Sequence, residues 1–125
     1  MTEADVIAHW KKRAEESLLV ARLSHERGLY ADALFHCHLA AEKALKVEFM
    51  KERRKDPPLT HNLLFIAQAL ERTWSEDERR QMDYLTQYAV ASRYDDPLWA
   101  ERESTQNNSA QWINFTEKLL SSFSS

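Results

Sequence analysis

One glycine and three prolines in 125 residues set the tightest limit on what this chain can fold into. All-β folds reverse direction every few residues and draw on glycine and proline to do so, because tight turns need a positive or a fixed φ. A chain whose single glycine is Gly28 lacks that supply, and its long stretches without breakers point to helices. Apolar residues are 43% of the sequence and charged residues 30%, enough for a core and for a solvated surface. At this length one hydrophobic core forms without disulfides or a structural metal, so the chain is read as one domain, residues 1–125.

The apolar spacing predicts the elements in turn. From Asp5 to Arg27 the positions Ile7, Trp10, Ala14, Leu18, Ala21 and Leu23 form a helical stripe, which Gly28 ends. A second helix begins near Tyr30 with Asp32 in its first turn and an inner stripe of Leu34, Cys37, Ala41, Ala44, Leu45 and Phe49. It runs to the charged stretch before Pro57 and Pro58, where the chain loops. Thr60 is expected to cap a third helix carrying Leu63, Ile66, Ala67 and Leu70, which Trp74 closes. Ser75-Glu76-Asp77-Glu78 matches a capping box for a fourth helix with Met82, Leu85, Ala89 and Val90 inward. Asp95-Asp96-Pro97 interrupts it, and the polar run Ser104 to Ser109 is expected to link to a last helix bearing Ile113, Leu119, Leu120 and Phe123, with a frayed tail from Ser121 to Ser125. Short connections place successive helices antiparallel, so the expected fold is an all-α, up-and-down bundle of four to five helices.

Several function classes drop out. Cys37 is the sole cysteine, which excludes an intrachain disulfide and a thiolate zinc cluster and suits a buried, inert thiol. A net charge of -3 gives no general attraction to phosphate backbones, which leaves Lys51-Glu52-Arg53-Arg54-Lys55 as the local candidate for RNA contact. No apolar run approaches the roughly 20 residues of a membrane span, and the start, Met1 to Asp5, is acidic where a signal peptide is basic, so a cytoplasmic protein is expected. Glycine-rich phosphate loops, paired catalytic carboxylates and serine-nucleophile signatures do not occur, and no cofactor is expected.

Two polar groups stand out. His38, Glu42 and Lys46 follow at four-residue steps, stacking along one helical edge beside the apolar stripe, where they could line a cleft or merely pair as surface ions. His36 and His38 point about 200° apart on a helix and cannot chelate one metal; His61 could approach His38 from the following loop, yet no metal site is expected. Farther on, Arg93 offers a planar fork for phosphate or carboxylate, Tyr94 a stacking face, and Asp95 a carboxylate to orient the arginine, or else the three simply end a helix.

Three ordered segments, Gly28 to Lys46 with its Ala-Ala-Glu-Lys-Ala-Leu-Lys run, Leu59-Thr-His-Asn-Leu63, and Ala91-Ser-Arg-Tyr-Asp95, resemble the HEPN domain family across roughly Ala4 to Phe123. The resemblance implies an antiparallel helical bundle, usually a homodimer, often encoded beside a small nucleotidyltransferase in a toxin–antitoxin type pair, and raises the expectation of nucleotide or RNA binding. Members that are metal-independent ribonucleases carry an arginine followed within a few residues by a histidine. Arg93 has no such histidine after it, and although Arg54 and His61 have the spacing, they fall in the Pro57-Pro58 loop rather than on the later helix. The leading expectation is therefore a noncatalytic homodimeric module that binds a nucleotide or RNA, or docks a nucleotidyltransferase, through His38, Glu42, Lys46, His61, Arg93, Tyr94 and Asp95. A ribonuclease toxin and a purely structural dimer with exposed Trp74 or Trp99 are the alternatives.

Overall fold

The computed structural model of the protein describes residues 1–91 and 96–123, and every regular element among them is helical. Helix α1 (Glu3–Glu26) opens with a capping box: the Thr2 hydroxyl accepts from the Asp5 amide and the Asp5 carboxylate accepts from the Thr2 amide. These bonds hold the Asp5 carboxyl below its ordinary pKa. Gly28, at φ 77, takes the left-handed conformation that ends the helix, and the Leu29 amide donates back to the Ser24 carbonyl at 2.8 Å. Two residues after the glycine α2 (Tyr30–Arg53) begins, and all six expected core positions on it, from Leu34 to Phe49, are buried.

Side-chain ties between α1 and α2 run from Lys43 on Ser17 to Arg54 on Glu3, which makes the two helices antiparallel. Helix α6 (Gln106–Ser122) completes the scaffold. Arg22 of α1 pairs with Glu117 at 2.5 Å and His25 meets Ser109 at 2.5 Å, so α6 is also antiparallel to α1 and therefore parallel to α2. On α1 the inward face is Ala14, Ser17, Leu18, Ala21 and Ser24, whereas Leu23 is exposed and Ile7 and Trp10 are half-buried. Leu23 sits two positions from fully buried Ala21, about 200° around the helix, and so cannot share its face.

The connection after α2 departs from simple alternation. Arg54 caps α2 in the left-handed region at φ 55, and the chain then doubles back until His61 lies against His38 and Glu42. The return covers fifteen helical positions, from Arg53 to His38, about 22 Å at ~1.5 Å per residue. Eight extended residues span that distance at ~3.3 Å each, and Pro57 and Pro58 favour the extended form. Helix α3 (Leu63–Gln68) therefore runs parallel to α2, ending where Arg53 donates to the Ala69 carbonyl and Glu52 accepts from the Glu71 amide. The cap of α3 is Asn62, whose side chain accepts from the Phe65 amide at 3.0 Å; Thr60, expected in that role, instead accepts from the Asn62 amide.

Helix α4 (Glu76–Thr86) starts with the expected Ser75–Glu78 capping box and passes into a 3₁₀ turn, Gln87–Ala89. Tightening of the helix there rotates Val90 outward, against expectation, while Met82, Leu85 and Ala89 stay buried. Helix α5 (Pro97–Glu103) was not anticipated: Asp96 caps it and Pro97 occupies its first position, so the Asp-Pro pair, expected to interrupt a helix, begins one. The run Ser104 to Ser109 is likewise no linker, because Thr105 caps α6 by accepting from the Asn108 amide and the remainder is its first turn. Ser121 and Ser122, expected to fray, complete the last turn of α6; Ser124 and Ser125 lie outside the described residues.

Trp74 and Trp99 are buried in the core, Trp74 donating its indole N–H to the Ala67 carbonyl, so neither presents the exposed interface considered from sequence. Among the described residues no helix is long and apolar enough to cross a membrane.

Candidate functional site

The four-residue steps of His38, Glu42 and Lys46 place them on one edge of α2, and the returning loop covers that edge. All three are buried, at 1%, 5% and 6% exposure, so the solvated row of surface ion pairs is ruled out. Their bonds close on one another. Lys46 Nζ donates to Glu42 Oε2 at 3.1 Å, and His61 Nδ1 lies 2.8 Å from Glu42 Oε1. His38 Nε2 donates to the His61 backbone carbonyl at 2.9 Å, an arrangement that requires the proton on Nε2 because a carbonyl only accepts. The same nitrogen stands 3.8 Å from Glu42 Oε1. A carboxylate with both oxygens engaged thus joins a lysine on its own helix to a histidine from the loop, while the His61 side chain remains 68% exposed.

Of the seven residues expected to form one site, four come together here, and Arg93, Tyr94 and Asp95 lie outside the described residues. His36 points elsewhere, as its spacing requires, with Nδ1 at 2.9 Å from the Asp32 carbonyl. Three of the four cations in the basic run after Met50 are committed within the chain, Lys55 being the exception. Lys51 pairs with Glu48, Arg53 holds the Ala69 carbonyl, and Arg54 pairs with Glu3 at 2.5 Å. Within one chain Arg54 and His61 do not meet: His61 is fixed at Glu42, twelve positions, or about 18 Å, up α2 from Arg54.

A second buried carboxylate escaped the reading of the sequence. Glu103, at the end of α5, is 5% exposed, and its Oε1 accepts from both Tyr84 and Tyr88, each at 2.8 Å. Arg102 donates to the other oxygen, and Asn108 bridges the Tyr88 hydroxyl and the Glu103 carbonyl. Burial raises the Glu103 carboxyl, but hydroxyl bonds from Tyr88 and Tyr84 and the charge of Arg102 outweigh it and leave the pKa below the ordinary value. The same burial and shared carboxylate push both tyrosines up. Above them Tyr84 stacks on Trp112, ring centres 5.6 Å apart and planes 9° from parallel.

A family model described as the HEPN domain matches residues 7–124, nearly the whole chain. The chain belongs to the HEPN domain family. Neither the curated proteins nor the solved structures compared with it gave a match. In this HEPN domain the signature run Glu42 to Lys46 is an internal clamp: it fastens the loop to α2 and orients the His61 ring through its Nδ1. The His61 ring is thus steadied by a carboxylate while its outer edge stays open to solvent. A phosphate-stabilising cation beside it is what Arg54 does not supply within this HEPN chain.

Proposed function

We propose that this HEPN domain is a noncatalytic, homodimeric docking module, its partner a nucleotidyltransferase of the kind the family resemblance implies, together with which it would form a toxin–antitoxin type pair. The observation that carries this reading is the closure of the clamp. His38, Glu42 and Lys46 are occupied with one another and with the loop, so their interactions fix the fold rather than await a ligand. Polyanion binding needs cations free to meet phosphates. Here Arg13, Arg22, Arg54, Arg72, Arg80 and Arg102 each pair with a carboxylate. Lys11, Lys12, Arg27, Lys55 and Lys118 carry no ion pair among the described residues, and the exposed His61 ring with Arg93, Tyr94 and Asp95 is the route to a nucleotide or RNA that the sequence suggested.

Isothermal titration with ATP, GTP and a short RNA tests the reading, and no heat is expected from any of the three; saturable heat would replace docking with nucleotide or RNA binding. Incubation with total RNA in EDTA tests catalysis. Cleavage that disappears in both Arg54→Ala and His61→Ala would establish a ribonuclease working across two chains, and intact RNA is the expected result.

A further inference from the structure

Helices α4 and α6 do not pack closely; the Tyr84–Trp112 stack bridges them and leaves a groove on either side, about 340 and 450 Å³ in volume. Its chemistry is unusual for this surface. Gln111, Asn114 and Lys118 follow at helical spacing along one face of α6, and Gln81 faces them from α4. None of these four side chains makes a hydrogen bond or ion pair among the described residues, whereas the groove's arginines are neutralised, Arg72 by Glu78 and Arg80 by Glu76 and Asp77.

The cavity that holds these four side chains follows eleven positions of α6, from Gln111 to Ser122, about 16 Å. That length takes roughly five residues of extended polypeptide at ~3.3 Å each. Every carboxamide offers a donor and an acceptor, the pair a backbone also offers at each residue. A nucleic-acid strand of the same length would bring several phosphates to a groove where, among the described residues, Lys118 is the one uncommitted cation. We propose that the α4–α6 groove is a docking site for an extended, nearly uncharged polypeptide segment of a partner protein, bound through the amides of Gln81, Gln111 and Asn114, with one acidic group of the segment on Lys118. The inference rests on the docking reading above and names the surface that performs it.

The probe is a displayed library of random eight-residue peptides, selected on the full chain and then measured individually against the Gln81→Ala, Gln111→Ala, Asn114→Ala triple variant. These positions are at the surface, and an unchanged circular dichroism melt establishes that the variant is folded. Selected peptides should weaken about tenfold or more in the triple variant. Lys118→Glu should disfavour those that carry an acidic residue, and titration should shift the side-chain amide resonances of Gln81, Gln111 and Asn114. Failure to select any peptide, equal binding by the variant, or displacement of the peptides by a twelve-residue oligouridylate would overturn the proposal. ATP, GTP or RNA heat that survives in the triple variant would defeat the docking reading while leaving the groove result to stand by itself, so the two failures are distinguishable.

Discussion

Glu42 and Glu103 are equally removed from water, each 5% exposed, yet the molecule accommodates them by different means. Glu42 meets a full positive charge four residues along its own helix and an imidazole from the adjoining loop. Glu103 draws on two tyrosine hydroxyls from α4 and the turn after it, fifteen and nineteen residues back, and on a neighbouring arginine that is itself exposed. The first arrangement buries a cation with the anion, and so depends on both members being present. The second buries an anion against two hydroxyls and an exposed arginine, which can turn to other acceptors or to water when it is lost. Equal burial therefore does not mean equal vulnerability.

The largest expected effect tests that contrast directly. Glu42→Ala leaves the Lys46 ammonium buried without its carboxylate and should cost about 3–5 kcal/mol in urea denaturation followed by circular dichroism. A loss under ~1 kcal/mol would show that the pair is hydrated, and the contrast would collapse. Glu42→Leu with Lys46→Met should recover most of the loss, because two apolar chains of similar volume remove both charges together. Glu103→Ala should cost less, about 1–3 kcal/mol, since half-exposed Tyr84 can rehydrate and only Tyr88 is left in the core without its acceptor.

Acid sharpens the comparison. The Glu103 carboxyl titrates below its ordinary value when folded, so its stabilising effect is complete above the unfolded pKa of about 4.3 and disappears as pH falls through the lower folded value. The difference in urea midpoint between wild type and Glu103→Gln should therefore be greatest near neutral pH and narrow below the unfolded value; a gap that widens in acid would reverse the assigned sign. Cys37 probes the core that both regions share. Burial pushes its thiol up to about 12 despite the Thr116 hydroxyl, so labelling by a disulfide reagent should proceed only through opening of the structure and should accelerate in Glu42→Ala far more than in Glu103→Gln. The smallest effect is expected for Arg54→Ala, which breaks the exposed pair with Glu3 and should change stability by less than about 1 kcal/mol.

What could be read from the sequence divides along the same line. The Ser75–Glu78 cap, the Gly28 stop and the buried stripe of α2 each depend on residues within a turn or two, and each stands as expected. The spacing of His38, Glu42 and Lys46 was equally visible. Their burial was not, because it depends on a loop folding back to cover them. Glu103 lay beyond reach, since nothing near it in the chain announces the tyrosines that hold it. Helix α5 was missed for a more local reason: Asp96-Pro97 served as a stop signal, although an aspartate followed by proline is also a favoured helix start. Thr60 was the expected cap for α3, and Asn62 takes the role because its side chain reaches the Phe65 amide.

The doubled-back connection after α2 has a mechanical consequence. Together with α3 it is tied at His61 to His38 and Glu42 and, beyond α3, at Ala69 and Glu71 to Arg53 and Glu52, so the two lie along α2 like a strap buckled twice. Each buckle uses residues within about one turn of α2, but both hold at once only when the positions from His38 to Arg53 are helical, because the rod sets the separation of the two attachment points. The strap thereby works as a length gauge for its own support, and fraying of α2 at its C-terminal end releases the second buckle.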